Sequence, residues 1–257
     1  MTFTVEHVEF YMLVLVRVTS FIMAAPFFGY STIPQKVKIC LSILLTIIII
    51  PLLNVPSLSY VGVIGYSTLV VKEAAVGIVI GYLANLCLYI ITFAGQIMDM
   101  DMGLSMASLF DPLTNVQGTV TGSMYMYVVM LVMMVTNMHY YVVRAIIDSF
   151  KYINVGQAVF SSSLKDVILN FIPNYFIIGF RIVLPMFACM LVVNVVLGVL
   201  AKAAPQMNMF VIGIQLKLIV GLLVLFLIVQ SIPSVSDFIM NEMKDMMSQA
   251  IRAMTPK

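Results

Sequence analysis

The chain has 257 residues, 62% hydrophobic and 9% charged, whereas soluble domains run at roughly 45–50% apolar and about 25% charged residues. Its 13 Lys and Arg against 11 Asp and Glu leave a formal net charge of +2, too small and too scattered for a nucleic-acid surface. The composition is that of a membrane protein. Cys40, Cys87 and Cys189 stand singly in or beside apolar runs, without CxxC spacing or a nearby His, so neither a metal site nor a disulfide framework is expected.

A helix needs about 20 apolar residues to cross a hydrocarbon core of ~30 Å. Six regions meet or approach that length: residues 8–28, 37–53, 61–97, 120–138, 168–200 and 209–232. Glu6 and Glu9 precede the first, with no basic residue before Arg17; this is the wrong polarity for a cleavable signal, and a retained helix is expected. Pro51 and Pro56, with Asn54 and Ser57, place a short turn before the third region, since proline cannot continue the helical ladder. No proline interrupts the third region, which taken from residue 60 would extend ~57 Å as helix. Part of it must leave the bilayer, bend at a glycine or pack against protein.

Next comes a Met-rich acidic stretch, Gln96 to Pro112, with methionines at 98, 100, 102 and 106 among Asp99, Asp101, Gly103 and Asp111. Methionine is flexible and deforms around varied surfaces, which suits a seal around a passing polypeptide; ordinary packing is the alternative. The same two readings apply to Met124, Met126, Met130, Met133, Met134 and Met138. Residues 139–167 mix His139, Arg144, Asp148 and Lys151 with Tyr140, Tyr141, Ile146 and Phe150. They read as an interfacial or extramembrane helix, followed by a helix restart with Ser163 and Asp166 at capping-box spacing. After Pro233, Ile239, Met243, Met247, Ala250 and Met254 recur at three and four residues opposite Glu242, Lys244, Asp245 and Arg252. That pattern predicts an amphipathic helix, expected to pack on a partner or on the membrane surface.

Six serial crossings should gather Lys and Arg on one side. With the acidic N-terminus outside, Lys36, Lys38 and Lys202 fall inside, but Arg144, Lys151, Lys165, Lys244, Arg252 and Lys257 fall outside. Either an apolar segment fails to cross, or the helices are shielded by protein rather than lipid, and the overlong regions favour the second reading. Arg17, Lys72, Glu73, Arg181 and Lys217 sit within apolar regions, where an ionised group costs about 2.5–3.5 kcal/mol at the bilayer centre even on insertion scales. They must be paired, face water or lie at a protein interface. Gly77 and Gly81 follow Glu73 at i+4 and i+8, a narrow face permitting close helix approach. An internal ion pair of Glu73 with Arg17, Arg181 or Lys217, an intersubunit contact, and a proton relay are the readings open there. No GxSxG, HExxH or Walker sequence is present, so no enzyme and no cofactor is expected.

Read together, certain residues resemble the FliR family, the R subunit of the flagellar type III export gate, and its injectisome homologues. The resemblance runs from Arg17 through Pro26-Phe27-Phe28-Gly29 and Ile33-Pro34 to Glu73, Gly77 and Gly81. It continues through Met102-Gly103-Leu104-Ser105 and Asp111-Pro112. It ends on Ala204-Pro205-Gln206-Met207-Asn208-Met209-Phe210, Gly213 and Lys217, and covers about residues 8–232. What it implies is an all-α membrane protein with about six long apolar helices arranged as hairpins, in a helical ring partly raised out of the bilayer. Residues 1–138 would be P-subunit-like and 168–232 a Q-subunit-like hairpin; 139–167 would connect them and 233–257 form the terminal helix. The implied partners are FliP and FliQ, with FlhB and FlhA, membrane lipid, and unfolded flagellar substrates, within the basal body at the bacterial inner membrane. The stretch from about 98 to 118 would help to plug the closed pore through Met102, Gly103, Met106, Leu109, Phe110, Asp111 and Pro112, with Met106, Leu109 and Phe110 as bulky stoppers and Gly103 and Pro112 as backbone breaks. Arg17, Glu73, Gly77, Gly81, Arg181 and Lys217 would be buried or subunit-contact residues. Lys202, Pro205, Gln206 and Asn208 would form the turn at the cytoplasmic entrance. The competing readings are an injectisome subunit and a small-solute transporter, the latter requiring internal repeats around a polar midplane site.

Overall fold

A computed structural model of the chain describes residues 5–53, 60–105, 119–206 and 208–256. Its helices are α1 (Val5–Ala24), α2 (Gln35–Ile49), α3 (Gly62–Met102), α4 (Val120–Val135), α5 (His139–Tyr152), α6 (Ser162–Ala203), α7 (Met209–Ile228) and α8 (Ile232–Ala253), with 3-10 turns at Ile50–Leu52 and Val229–Ser231. No strand occurs among the described residues. Five helical stretches are long and apolar enough to cross a membrane, or six if α4 and α5 count as one broken span, so this is an all-α membrane protein. The overlong regions exceed the sequence expectation. The helices α3 and α6 have 41 and 42 residues, each a contour of about 60 Å at 1.5 Å per residue. Pro173 and Pro185 lie inside α6 without ending it, as apolar surroundings allow.

The residues form two compact units. Unit one is Met1–Cys87, Asn137–Ile172 and Met240–Lys257; unit two is Leu88–Thr136 and Pro173–Ile239.

In unit one, α1 lies against α3 with almost no side chain between them. A Cβ on Gly77 would strike the Ser20 hydroxyl and the Arg17 carbonyl, and one on Gly81 would come 2.8 Å from the Phe21 carbonyl. The narrow face that begins at Glu73 is therefore filled by the chain's own first helix. After α1 the backbone turns through Phe27, which takes φ +67°, and Lys38 Nζ donates to the Gly29 carbonyl at 2.8 Å. That bond begins an inverted helix. Lys38, Ser42 and Thr46, with Ile49 at the end, are the buried side of α2, while Val37, Ile39, Leu44, Ile47 and Ile48 are more than half exposed. In water the pattern would be reversed; an apolar outer face fits lipid or a protein neighbour.

The terminal helix behaves differently from its expectation. Its period is the one read from sequence, but Ile239, Met243, Met247, Ala250 and Met254 are buried within the chain. From Met240 onward α8 belongs to unit one, so that face packs on its own fold rather than on a partner or the membrane. Its last turn is held from outside: Val159 N donates to the Met254 carbonyl, and Ser161 and Ser163 hydroxyls donate to the Ala253 carbonyl. Ser163 is thus not a capping-box residue, and α6 begins one residue before it, at Ser162. These donors serve carbonyls that a helix C-terminus leaves without intrahelical partners.

In unit two, Phe93 of α3 is ringed by Tyr175, Phe176 and Phe180 of α6 at centroid distances of 5.5, 5.4 and 6.1 Å. Gly179 leaves the space for that ring, and Tyr175 donates to the Tyr89 carbonyl at 3.1 Å. Helices α6 and α7 otherwise expose most of their large apolar side chains, Leu184, Val192, Val199, Leu222 and Phe226 among them.

Gly77→Leu should force α1 from α3 and destabilise the protein by at least about 1–3 kcal/mol, the range for overpacked cores. Thermal unfolding in detergent, with Gly198→Leu as control where nothing lies within 4 Å of the added carbon, measures the difference.

Candidate functional site

Arg17 and Glu73 are both fully buried. Arg17 reaches Glu73 with two nitrogens: Nε donates to Oε2, and Nη2 donates to Oε1 at 3.0 Å. Nη1 donates to the Ile153 carbonyl at 3.0 Å, and the guanidinium carbon lies 4.3 Å from the centroid of Phe150. Glu73 Oε1 also accepts from Gly156 N at 2.7 Å, where the backbone takes φ +82°, a conformation that glycine adopts without a Cβ penalty. Three chain segments of unit one thus meet on a single bidentate ion pair. Of the readings open for Glu73, the structure realises the internal pair, and its partner is Arg17. Neither Ile153 nor Gly156 carries a sequence signal for this role.

The other candidates lie in unit two. Helix α3 ends at Met102, which is fully buried with its side chain against Gly221, where the methyl of Met190 also approaches. Met102 therefore anchors the helix end in packed protein. Gly103 follows with φ +82°, and the chain leaves the helix there. Met106, Leu109, Phe110, Asp111 and Pro112 lie outside the described residues. Where the chain is next described, α4 begins beside α3. A Cβ on Gly95 would collide with the backbone of Gly122, so the two helices touch main chain to main chain. One turn beyond Gly95, the Asp99 carboxylate accepts from Thr121 N, 3.2 Å from each oxygen. Thr119, the N-cap residue of α4, makes no side-chain cap bond. A carboxylate from another helix serves instead, favoured by the positive end of the helix dipole. Gly95 and Asp99 thus fasten the last turns of α3 to the first turn of α4 at Thr121 and Gly122. The signal in sequence was the i, i+4 spacing of Gly95 and Asp99; its partner, 22 residues on, left none.

Arg181 and Lys217 do not join Glu73. Arg181 is exposed on α6 between exposed Phe180 and Leu184, and makes no ion pair among the described residues. Lys217 is half-buried on α7 and acts electrostatically on Asp101. Lys202 lies in the last turn of α6, and Pro205, Gln206 and Asn208 follow before α7, all four exposed. Asn208 caps α7, its side-chain oxygen accepting from Phe210 N at 3.2 Å. Among the described residues no group of three His, Cys, Asp or Glu side chains could hold a metal ion.

Removing one partner of a buried ion pair leaves an uncompensated charge and costs about 3–5 kcal/mol, more than the pair itself contributes. Glu73→Ala and Arg17→Ala should each lower thermal stability in detergent by that amount, and Arg17→Met with Glu73→Leu should recover part of the loss. Asp99→Ala should cost about 0.5–2 kcal/mol, as for a lost helix cap. If both single changes at the ion pair leave the melting curve in place, the junction is not structural.

The family model for bacterial export proteins, family 1, matches residues 8–243. The flagellar biosynthetic protein FliR of Bacillus subtilis (strain 168) is 31% identical over 237 residues, covering 88% of this chain and 91% of its own. FliR of Buchnera aphidicola subsp. Acyrthosiphon pisum is 31% identical over 219 residues, covering 84% and 83%. FliR of Escherichia coli (strain K12) is 26% identical over 240 residues, covering 92% and 90%. The matched span includes Arg17, Glu73, Asp99 and the α6–α7 turn. The chain belongs to the bacterial export proteins, family 1, the family of the flagellar FliR proteins.

Proposed function

We propose that this chain is a non-catalytic core subunit of the flagellar protein export gate in the bacterial inner membrane, forming with FliP and FliQ subunits the channel for unfolded flagellar proteins. The observation that carries the reading is the outer face of α6. That helix is 42 residues long, about twice what a hydrocarbon core of ~30 Å needs. It exposes Phe176, Phe180, Leu184, Leu191 and Val195, with Arg181 standing among them. Lipid cannot cover both the full length and the cation at low cost. Neighbouring helical subunits can, and a carboxylate or backbone carbonyl on one of them would meet Arg181.

The loop between Gly103 and Thr119 is the proposed plug, with Met106, Leu109 and Phe110 as its apolar bulk. Its support is the contact of Gly95 and Asp99, before it, with Gly122 and Thr121, after it, which brings its two flanks together. Burying one such side chain contributes about 1.5–3 kcal/mol; three of them would keep a pore shut and still yield to an energised substrate. The exposed α6–α7 turn at Lys202, Pro205, Gln206 and Asn208 is the proposed cytoplasmic entrance, within reach of FlhB and FlhA.

Deletion of the gene in its own bacterium is expected to abolish filaments and swimming, and a tagged copy is expected to copurify with two small membrane proteins, FliP and FliQ. Intact motility with loss of effector secretion would make it an injectisome subunit; recovery as a lone solute-binding monomer would make it a transporter. In the assembled gate, M106A with F110A should raise ion leak across the membrane. Conductance equal to wild type in that double variant would refute the plug.

A further inference from the structure

In unit one, α5 and α8 frame a groove enclosing about 330 Å³. Three cations line it: Arg144 from α5, and Lys244 and Arg252 from α8. Lys244 and Arg252 are eight residues apart with Ser248 between them, so all three fall on one side of the helix. Asp148 is the one acid among the lining residues, and it is already engaged by Arg144 at 3.7 Å and Lys151 at 2.7 Å. Lys244 and Arg252 make no ion pair among the described residues. Instead Lys244 Nζ lies 3.8 Å from the ring centroid of Tyr141. The groove therefore holds positive charge in excess of its acid, above an apolar floor of Ala145, Met247 and Ile251.

Charge gathered in a concave site is complemented by a compact anion with several acceptor oxygens, and Arg and Lys donors match phosphate. The source of that phosphate follows from α5. Val142, Ile146 and Phe150 are its buried side, while Tyr140, Tyr141 and Tyr152 are 64%, 46% and 53% exposed, beside Arg144 and Lys151. Outward tyrosines with basic side chains are the composition of a helix at the lipid–water boundary. We propose that the α5–α8 groove binds the phosphate of an anionic phospholipid headgroup through Arg144, Lys244 and Arg252. The apolar side chains of Ala145, Met247 and Ile251 then meet the first methylenes of the same lipid's acyl chains. This site is separate from the ion-pair junction and from the proposed plug, and it stands whether or not the chain lines a pore.

The test is lipid retention by the full-length protein, purified in mild detergent with added phosphatidylglycerol or phosphatidylcholine and read by native mass spectrometry. Wild type should retain phosphatidylglycerol roughly a hundredfold over phosphatidylcholine, and the preference should fall roughly fivefold for each of the three cations removed. K244Q alone and R144Q/K244Q/R252Q together are the variants, with K165Q, a cation of the same unit outside the groove, as control. K244Q keeps the test valid should the triple variant fold poorly. Loss of preference in the groove variants but not in K165Q supports the site. Equal retention of the two lipids, or a preference unchanged in K244Q and in a folded triple variant, overturns it. Millimolar inorganic phosphate should leave the bound lipid in place; complete displacement would assign the groove to free phosphate and overturn the headgroup.

Discussion

Arg17 and Glu73 neutralise each other out of reach of water, and the rest of unit one is arranged around that necessity. Helix α1 supplies the cation and α3 the anion, so the two must lie close; the glycines one and two turns beyond Glu73 make the approach possible. The two remaining hydrogen bonds come from the segment after α5, which commits that segment to the same point. The pair contributes less to stability than its bond count suggests, because both charges were better solvated in water. What it contributes is registry. A slip of one residue along α3 would turn Glu73 away by about 100° at 3.6 residues per turn, leaving two unpaired charges in an apolar core.

Unit two reaches its registry by shape and one cap. Gly95 and Gly122 bring main chains together, Asp99 closes the start of α4, and Met102 seats the end of α3 on Gly221. These are short-range devices on well-buried parts of the helices, and each is adjacent to the segment that begins at Gly103. Around them, α6 and α7 present apolar surface outward. The unit is tightly packed where α3 and α4 meet, and apolar at its outer face.

How much of this was legible depends on the range of the interaction. Apolar run length located α1 to α4, α6 and α7, and the i, i+4, i+8 series of Glu73, Gly77 and Gly81 announced a close contact, because these signals are local to one helix. The partner was not legible: nothing in Arg17, Arg181 or Lys217 says which of them folds back on Glu73, since pairing between helices leaves no periodicity. Gly156 and Ile153 escaped for the same reason, being main-chain groups whose side chains carry no message. The α8 stripe was legible as a stripe, but an apolar face looks the same in sequence whether its occupant is a partner or the chain's own core. The capping box at Ser163 failed because three donors in residues 159–163 turn to the end of α8 instead.

The two prolines inside α6 leave a mark that spacing alone does not reveal. Pro185 has no N–H to give, so the main-chain oxygen of Arg181, four residues earlier, lacks its usual intrahelical donor. At that one position the helix therefore offers both a guanidinium and an unclaimed carbonyl. A visiting helix can answer with a carboxylate and a hydroxyl, or with one Asn or Gln side chain that both accepts and donates, and a purely aliphatic visitor leaves both ends unsatisfied. The outer face of α6 is thus apolar along most of its length, with one polar point near its middle where a cation and a main-chain oxygen stand together.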